Sequence, residues 1–272
     1  MPVPSYSPLT NDPPVTPPNP QPSYLTLVSP KSTIFVLKGE QVTFKVESNA
    51  ASVTMTIPSD KPIIRQMIKI GTTFTYTYTF SSTDFYYAQW IDSASSYSGL
   101  KQITFRTDTG LTASVDYAVL KRTRDYYSGM QPSLIWTSPT STPFLAPATE
   151  EYNCLAFAIG IQNRWIAGNR NGGPEKDLKT VVDYMQGKGY TLCGTIENPD
   201  YSDTPKIIYY ENYHFAKVVA WYNNGTPKTI HYKMGEDELI KAEGYNVFSK
   251  EFQVEHYSGA FPSYGKPVLC FK

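Results

Sequence analysis

The stretch TFTYTYTF at residues 73–80 alternates aromatic side chains with threonines. Successive side chains of a β-strand point to opposite faces, so Phe74, Tyr76, Tyr78 and Phe80 would share one face and the threonines the other. Aromatic and β-branched residues also favour strands over helices. The stretch therefore predicts a β-strand with one buried aromatic face. The same alternation recurs at residues 41–47, 52–57, 103–105 and 115–119.

Turn signals separate these alternating segments, as in Lys38-Gly39-Glu40 and Asp108-Thr109-Gly110. About seven short strands in roughly 100 residues, each bounded by turns, are typical of an antiparallel β-sandwich. We therefore predict an all-β, immunoglobulin-like sandwich over residues 23–121. This segment contains no cysteine, so the internal disulfide of antibody domains is absent. It shows no catalytic pattern, and its tyrosines and threonines suit a packed face as well as a binding surface.

Two proline-rich segments flank the predicted sandwich. Residues 1–22 hold nine of the 22 prolines, which lack amide donors and fix φ, so we predict an extended, polyproline-like arm. A plain linker explains this arm better than a docking ligand does. Residues 122–149 are rich in Pro, Ser and Thr and are predicted to be a connector anchored by Trp136 and Phe144.

Residues 150–272 change to helical spacing and then return to strands. Helices are predicted over 150–161 and 177–186, the second ended by Gly187 and Gly189. Strand-like runs follow at 190–193, 206–210, 214–222, 228–232 and 268–271. Helices followed by an antiparallel sheet indicate an α+β domain. The chain is thus predicted to have two domains, the sandwich and this α+β domain.

Charge and composition exclude several classes of partner. The chain carries 24 basic and 24 acidic residues, so no basic excess draws it to nucleic acid or to anionic membrane. No run of 18 apolar residues occurs, and no membrane span is expected. The start lacks a basic stretch followed by an apolar one, so no signal peptide is predicted and the compartment stays open, with leaderless export as one route. A monomer is the default expectation.

The three cysteines, Cys154, Cys193 and Cys270, are an odd number and argue against a disulfide framework. Cys193 and Cys270 lie in apolar runs and are predicted to be inert core residues. Cys154 stands near the start of the first predicted helix, where unpaired amides and the helix dipole favour a thiolate. It is a candidate nucleophile, although a small core residue on an apolar helix is the plainer interpretation.

The chain has only three histidines, and two of them, His214 and His231, fall on predicted neighbouring strands. The turn Asn223-Asn224-Gly225 between them indicates a hairpin that would bring the two rings together. A nucleophile, a base and a group that orients the base are the parts of a thiol hydrolase site. Ordinary core or surface imidazoles are the alternative. A zinc site of Cys154 with both histidines is disfavoured because no close Cys or His pair supports it.

At this point a family resemblance can be stated. The order of a helix-start cysteine, a strand-opening histidine and a second histidine on the partner strand resembles the NlpC-type and CHAP-type papain-like cysteine peptidases. A bacterial branch of that group is more similar still, and the resemblance covers residues 150–245 but not the sandwich. The segments that carry it are YNCLAFAIG at 152–160, Arg164-Trp165, HFAK at 214–217 and KMGEDELI at 233–240.

The resemblance implies Cys154 as nucleophile, His214 as general base and His231 as the orienting group. The Cys154 amide would form part of an oxyanion hole, with Asn153 or Tyr152 as a second donor. Trp165 is a candidate for lining a substrate cleft, with structural packing as an equally good interpretation. The loop between the two histidines is longer than the family's usual one, and Asn-Cys-Leu replaces its common Asp-Cys-Ser, so Glu211 and Asn212 are alternative orienting residues. No cofactor and no metal are implied.

Three functions follow from these features. The first is a cysteine peptidase or amidase acting on bacterial cell-wall peptide; by analogy it would be an exported antibacterial effector with an immunity protein as partner. The second keeps the chemistry but turns it on proteins, as a protease or a glutamine deamidase toxin. The third is a non-catalytic adhesion or structural module with a degenerate hydrolase fold.

Overall fold

The computed structural model describes residues 21–37, 39–58, 61–80, 100–120, 143–147, 149, 151–166, 172–233, 235, 237–248 and 264–272. The predicted arm therefore lies almost wholly outside the described residues. So does most of the predicted connector, including Trp136. In the described ranges the chain is a multi-domain, β-rich protein, and none of their helices is long and apolar enough to cross a membrane.

The N-terminal unit consists of two sheets that share one core. The first has the strand order β1-β3-β7-β6 and the second β2-β9-β8-β4-β5. Every pairing is antiparallel except that of β2 with β9, which is parallel. The strands are β1 (Leu25–Ser29), β2 (Ile34–Val36), β3 (Gln41–Ser48), β4 (Val53–Ile57), β5 (Ile63–Gln66), β6 (Ile68–Ile70), β7 (Thr73–Thr79), β8 (Lys101–Thr107) and β9 (Thr112–Val119).

The core of this unit confirms the period-two pattern. Along β3, buried and exposed residues alternate without a break. In residues 73–80, Phe74, Tyr78 and Phe80 are buried and Tyr76 is half-buried. Phe44 on the first sheet packs against Phe105 on the second, with ring centroids 5.8 Å apart. The prediction of a two-sheet β unit is therefore confirmed, whereas its immunoglobulin-like character stays a prediction.

The C-terminal unit is built on one antiparallel sheet with the order β10-β14-β13-β12-β11-β15. Its strand β10 falls inside the predicted connector, so this unit begins before residue 150. The predicted anchor Phe144 lies on β10 and is buried. The strands are β10 (Phe144–Ala146), β11 (Ile207–Tyr210), β12 (His214–Trp221), β13 (Pro227–Lys233), β14 (Leu239–Glu243) and β15 (Pro267–Phe271).

Among the described residues, two helices accompany this sheet, α1 (Cys154–Ala158) and α2 (Leu178–Gly187). Helix α1 is shorter than predicted because Gly160 takes a φ of 82° and the amide of Ile161 turns back to the Ala156 carbonyl at 2.8 Å. Helix α2 has nearly the predicted bounds. It is capped by Asp177, and it ends before Gly189, whose φ is 87°.

The two faces of this sheet carry different apolar clusters. Helices α1 and α2 cover one face, called here the helical face, where Leu155 and Met185 pack in one cluster with Phe215. The opposite face, called here the aromatic face, is covered by Phe248 and by residues of the N-terminal unit such as Phe35. The Phe35 ring lies 5.7 Å from that of Phe144, so the two units share a buried cluster.

Candidate thiol site

Cys154 is the first residue of α1, and the residue before it fixes its position. The Asn153 side chain accepts hydrogen bonds from the amides of Ala156 at 3.1 Å and Ile166 at 3.4 Å, and its own amide group donates to the Ile166 carbonyl. Asn153 is buried. The structure therefore gives Asn153 the role of an N-cap that holds the helix start, and its predicted role as an oxyanion donor stays untested.

The sulfur of Cys154 lies on the helical face and is almost closed off, with 8% of the residue exposed. Burial raises the pKa of the thiol, while hydrogen bonds from the backbone amides of Phe215 and Leu155 and the charge of Lys233 act against the rise. The first effect is the largest, so Cys154 is a protonated thiol at neutral pH. The amides and the cation are nevertheless the groups that would stabilise a negative charge at this sulfur.

Lys233 is the last residue of β13 and is fully buried. Its ammonium donates to the carbonyls of Thr149 at 2.8 Å, Gly235 at 2.7 Å and Asp237 at 2.7 Å. The same nitrogen lies 5.2 Å from the ring centroid of Tyr152. Because an ammonium has three protons and each meets a carbonyl, Lys233 acts as a fixed positive charge and not as a proton acceptor.

The structure does not bring His214 to Cys154, and the predicted pairing is wrong. Strand alternation is the physical reason: Phe215 faces the helices, so its neighbour His214 points to the aromatic face. There the imidazole stacks on Tyr264 with centroids 3.8 Å apart and meets the edge of Phe248 at 4.9 Å. Two further rings, those of Tyr210 and Tyr232, have centroids 5.9 Å from the imidazole.

The imidazole of His214 is sealed and uncharged. Its residue has no exposed surface, and neither ring nitrogen has a hydrogen-bond partner in the described part of the chain. Burial lowers the pKa of His214 to about 3. A histidine in this state does not exchange protons with a thiol on the other side of the sheet, so the general-base role is withdrawn.

His231 lies on the helical face but does not orient His214. It pairs with Lys217 on β12 and Lys241 on β14, so its side chain shares their face and points away from the aromatic face. Burial is the main cause that lowers the pKa of His231, and the charges of Lys241 and Lys217 add to it. The hairpin that was predicted from Asn223-Asn224-Gly225 is confirmed, but it places the two rings on opposite faces.

The alternative orienting residues occupy the turn between β11 and β12. The Glu211 carboxylate forms an ion pair with Lys266 at 3.6 Å and accepts from its amide at 3.3 Å. The amide of Asn212 donates to the Tyr264 carbonyl at 3.1 Å. Both residues are exposed. Since His214 is not a base, neither residue has an imidazole to orient, and their predicted role is withdrawn with it.

Tyr152 and Trp165 do lie near the thiol site. Tyr152 is buried, stacks on Phe157 with centroids 6.3 Å apart and faces the Lys233 ammonium. The half-buried Trp165 borders Gly235, because a Cβ on that glycine would stand 3.9 Å from the indole. Both therefore flank the Lys233 segment, and a role in lining a substrate cleft stays a prediction for Trp165.

Two groups that affect the pKa of Cys154 were not predicted from the sequence, the Phe215 amide and the Lys233 charge. No residue type signals a backbone amide. Lys233 does stand in the quoted segment KMGEDELI, but a lysine at a strand end usually faces water. Within the described residues, no cluster of three or more His, Cys, Asp or Glu could hold a metal ion.

Fold and site thus define a multi-domain, β-rich protein whose C-terminal unit buries both Cys154 and Lys233. Residues 144–272, which comprise this unit, match a protein-family model described as a domain of unknown function (DUF7689). No curated protein matches the chain. One similar solved structure is described as an IG27 protein domain; it is 11% identical, covers 35% of this chain and 97% of its own, and has a TM-score of 0.23.

Proposed function

We propose that the C-terminal unit is a cysteine hydrolase, a peptidase or amidase of papain-like fold, in which Cys154 is the nucleophile and Lys233 the cation beside it. A single observation carries this proposal: Cys154 begins α1 and packs in one cluster with Phe215 of β12, where the amides of Phe215 and Leu155 and the Lys233 charge lower the pKa of its thiol against the larger effect of burial. Such donors stabilise the negative charge that a thiol develops when it attacks a carbonyl. Neither His214 nor His231 takes part in this version of the site.

The reaction is an acyl transfer through a thioester. The Cys154 sulfur bonds to the carbonyl carbon of an amide, the carbon–nitrogen bond breaks and the thiol proton goes to the departing amine. Water then cleaves the thioester, which releases a carboxylic acid and restores the thiol. A helix-start cysteine packed on an antiparallel sheet supports the papain-like interpretation of the fold, and the two-sheet N-terminal unit would be an immunoglobulin-like positioning domain.

Bacterial cell-wall peptide is the proposed substrate, because the resemblance to NlpC-type and CHAP-type peptidases favours short peptides with amide bonds. In this view the protein is an exported antibacterial effector that is neutralised by an immunity protein. Protein targets, cleaved or deamidated, are the alternative substrates for the same thiol.

Purified bacterial sacculi incubated with the full-length protein test this proposal. We expect wild-type protein to release muropeptides and Cys154→Ala to release none. Lys217→Met is the matched control, because Lys217 is an exposed residue of β12 on the helical face and should keep full release. Equal muropeptide release by wild type and Cys154→Ala would overturn the hydrolase proposal. If neither protein releases muropeptides but a protein target changes mass in a Cys154-dependent way, the protein-directed alternative is favoured.

A non-catalytic module is the second candidate function, and one observation favours it. Burial raises the pKa of Cys154, and the described residues place no histidine against its sulfur. A thiol without activation reacts with iodoacetamide no faster than a free cysteine near neutral pH. Alkylation of Cys154 several-fold faster than that of a model thiol would exclude this candidate, and alkylation at or below the model rate would support it.

A further inference from the structure

The other two cysteines lie opposite each other beyond the β15 edge of the C-terminal sheet. Thr191 and Lys272 exchange both backbone hydrogen bonds, at 3.0 and 2.9 Å, and Leu192 forms an antiparallel bridge with Phe271. The next opposed pair is Cys193 and Cys270, where the Cys193 amide donates to the Cys270 carbonyl at 2.9 Å. The segment 191–193 thus continues the sheet past β15 and sets two thiols across from one another.

The two thiols also share a face and a pocket. Both residues have no exposed surface and belong to the aromatic-face cluster. The Cys270 sulfur lies 3.8 Å from the Cys193 carbonyl and 3.5 Å from the Asp200 carbonyl. A hydrogen bond from the Cys270 thiol lowers the pKa of Cys193. The same contact, together with burial, raises the pKa of Cys270.

This geometry falls in the range that a disulfide needs. Directly opposed residues of antiparallel strands have Cα atoms roughly 4.5–5.5 Å apart, and disulfides span Cα separations of roughly 4.4–6.8 Å. The pairing therefore places the two residues at a backbone separation that a disulfide can span. By contrast, Cys154 lies on the helical face, so the sheet separates it from this pair.

We propose that Cys193 and Cys270 are a redox pair that closes to a disulfide, while Cys154 stays the single free thiol of the chain. The bond would tie the segment after α2 to the last strand of the sheet. The prediction that these two cysteines are core residues is confirmed, and the proposed role replaces only the expectation that they are inert. The proposal is independent of the hydrolase chemistry, because it involves a different face of the sheet and no substrate.

Thiol–disulfide exchange with a small disulfide, such as oxidised glutathione, would form the bond between Cys193 and Cys270. The Cys193 thiolate attacks one sulfur of the small disulfide and releases one small thiol, which leaves a mixed disulfide. The Cys270 thiol then displaces the second small thiol. The protein loses two protons and two electrons, and the small disulfide is reduced to two thiols. Since both residues are buried, the exchange takes place during folding or when the segment 191–193 opens.

A count of free thiols in the full-length protein tests the proposal. The protein is folded in glutathione buffer, either oxidising or fully reduced, then denatured and titrated with Ellman's reagent. In wild type we expect three free thiols after folding in the reduced buffer and one after folding in the oxidising buffer. In Cys154→Ala we expect two free thiols in the reduced buffer and none in the oxidising one. Peptide mapping without reductant should recover a peptide that joins Cys193 to Cys270.

Cys270→Ser and Cys193→Ser complete the experiment, because each should keep two free thiols in either buffer. The thermal unfolding midpoint of Cys154→Ala should also rise on oxidation. Because this variant retains Cys193 and Cys270, the rise reports the stabilisation that their disulfide provides. Three thiols in oxidised wild type, a linked peptide that contains Cys154, or a bond between two molecules would each overturn the assignment.

Discussion

Hydrogen bonding from the backbone amide of Phe215 opposes the rise in the pKa of Cys154 that burial causes, while the side chain of the preceding residue, His214, points away from that thiol into the aromatic face. Two consecutive residues of β12 therefore contribute to opposite faces of one sheet, Phe215 to the helical face and His214 to the aromatic face. The strand contributes an amide to the thiol site and an imidazole to the core. Among the described residues, chemistry at Cys154 would rely on the fixed donors of the helical face, whereas His214 contributes to stability.

The first prediction concerns His214 and thiol reactivity. His214→Phe should leave the rate of Cys154 alkylation by iodoacetamide within about twofold of wild type at pH 7.5, because the imidazole lies across the sheet from the sulfur. The rate is followed by intact-mass spectrometry, and Cys154→Ala identifies the labelled site. A drop of about tenfold or more in folded His214→Phe would show that the ring does activate the thiol.

The second prediction concerns the pH dependence of stability. The pKa of His214 is lowered to about 3 in the folded protein from 6.5. Between those values the unfolded chain binds a proton that the folded chain does not, so acid favours unfolding. His214 should make no such contribution above pH 6.5, and below it the free energy of unfolding should fall by about 1.4 kcal/mol per pH unit down to about pH 3.

Urea unfolding of wild type and His214→Phe at pH 7.5 and 4.5 measures this effect. Other groups titrate in both proteins. The difference between the two losses of unfolding free energy, from pH 7.5 to pH 4.5, therefore isolates the contribution of His214. Wild type should lose about 2–3 kcal/mol more than the variant over this interval. Equal losses would mean that the imidazole reaches solvent or a partner in the folded state.

The period-two patterns could be predicted from the sequence because burial on one face imposes alternation. Residues 73–80 and β3 fold as their patterns indicate, and the hairpin between β12 and β13 forms at Asn223-Asn224-Gly225. Helix α2 could also be predicted from the sequence, because Asp177 and Gly189 mark its ends. These are local signals that act within a few residues.

The site could not be predicted to the same degree, because it depends on which face each residue takes. A shift by one position moves every side chain of a strand to the other face, and nothing in HFAK decides between His214 and Phe215. Lys233 reaches carbonyls as distant in sequence as that of Thr149. The opposition of Cys193 and Cys270 likewise depends on a contact between segments 77 positions apart.

The third prediction concerns Lys233. Lys233→Met should lower the free energy of unfolding by about 3 kcal/mol or more, because the buried Asp237 carbonyl and the half-buried Thr149 and Gly235 carbonyls lose their donor. The pKa of Cys154 should rise further without the nearby charge, so its alkylation should slow at pH 7.5 and its rate profile should shift to higher pH. Lys217→Met, exposed on the same face, should change neither. A folded Lys233→Met with an unshifted profile would remove Lys233 from the thiol site.

The last prediction concerns the start of α1. Asn153→Ala removes the acceptor of the Ala156 and Ile166 amides and the donor to the Ile166 carbonyl, so it should cost about 2–3 kcal/mol of stability. Asn153→Asp is the matched comparison. It keeps the acceptor but loses the donor, and its charge should disfavour the Cys154 thiolate. Folded Asn153→Asp should therefore alkylate more slowly than wild type near pH 8. Faster alkylation would contradict the expected unfavourable effect of this charge on the Cys154 thiolate.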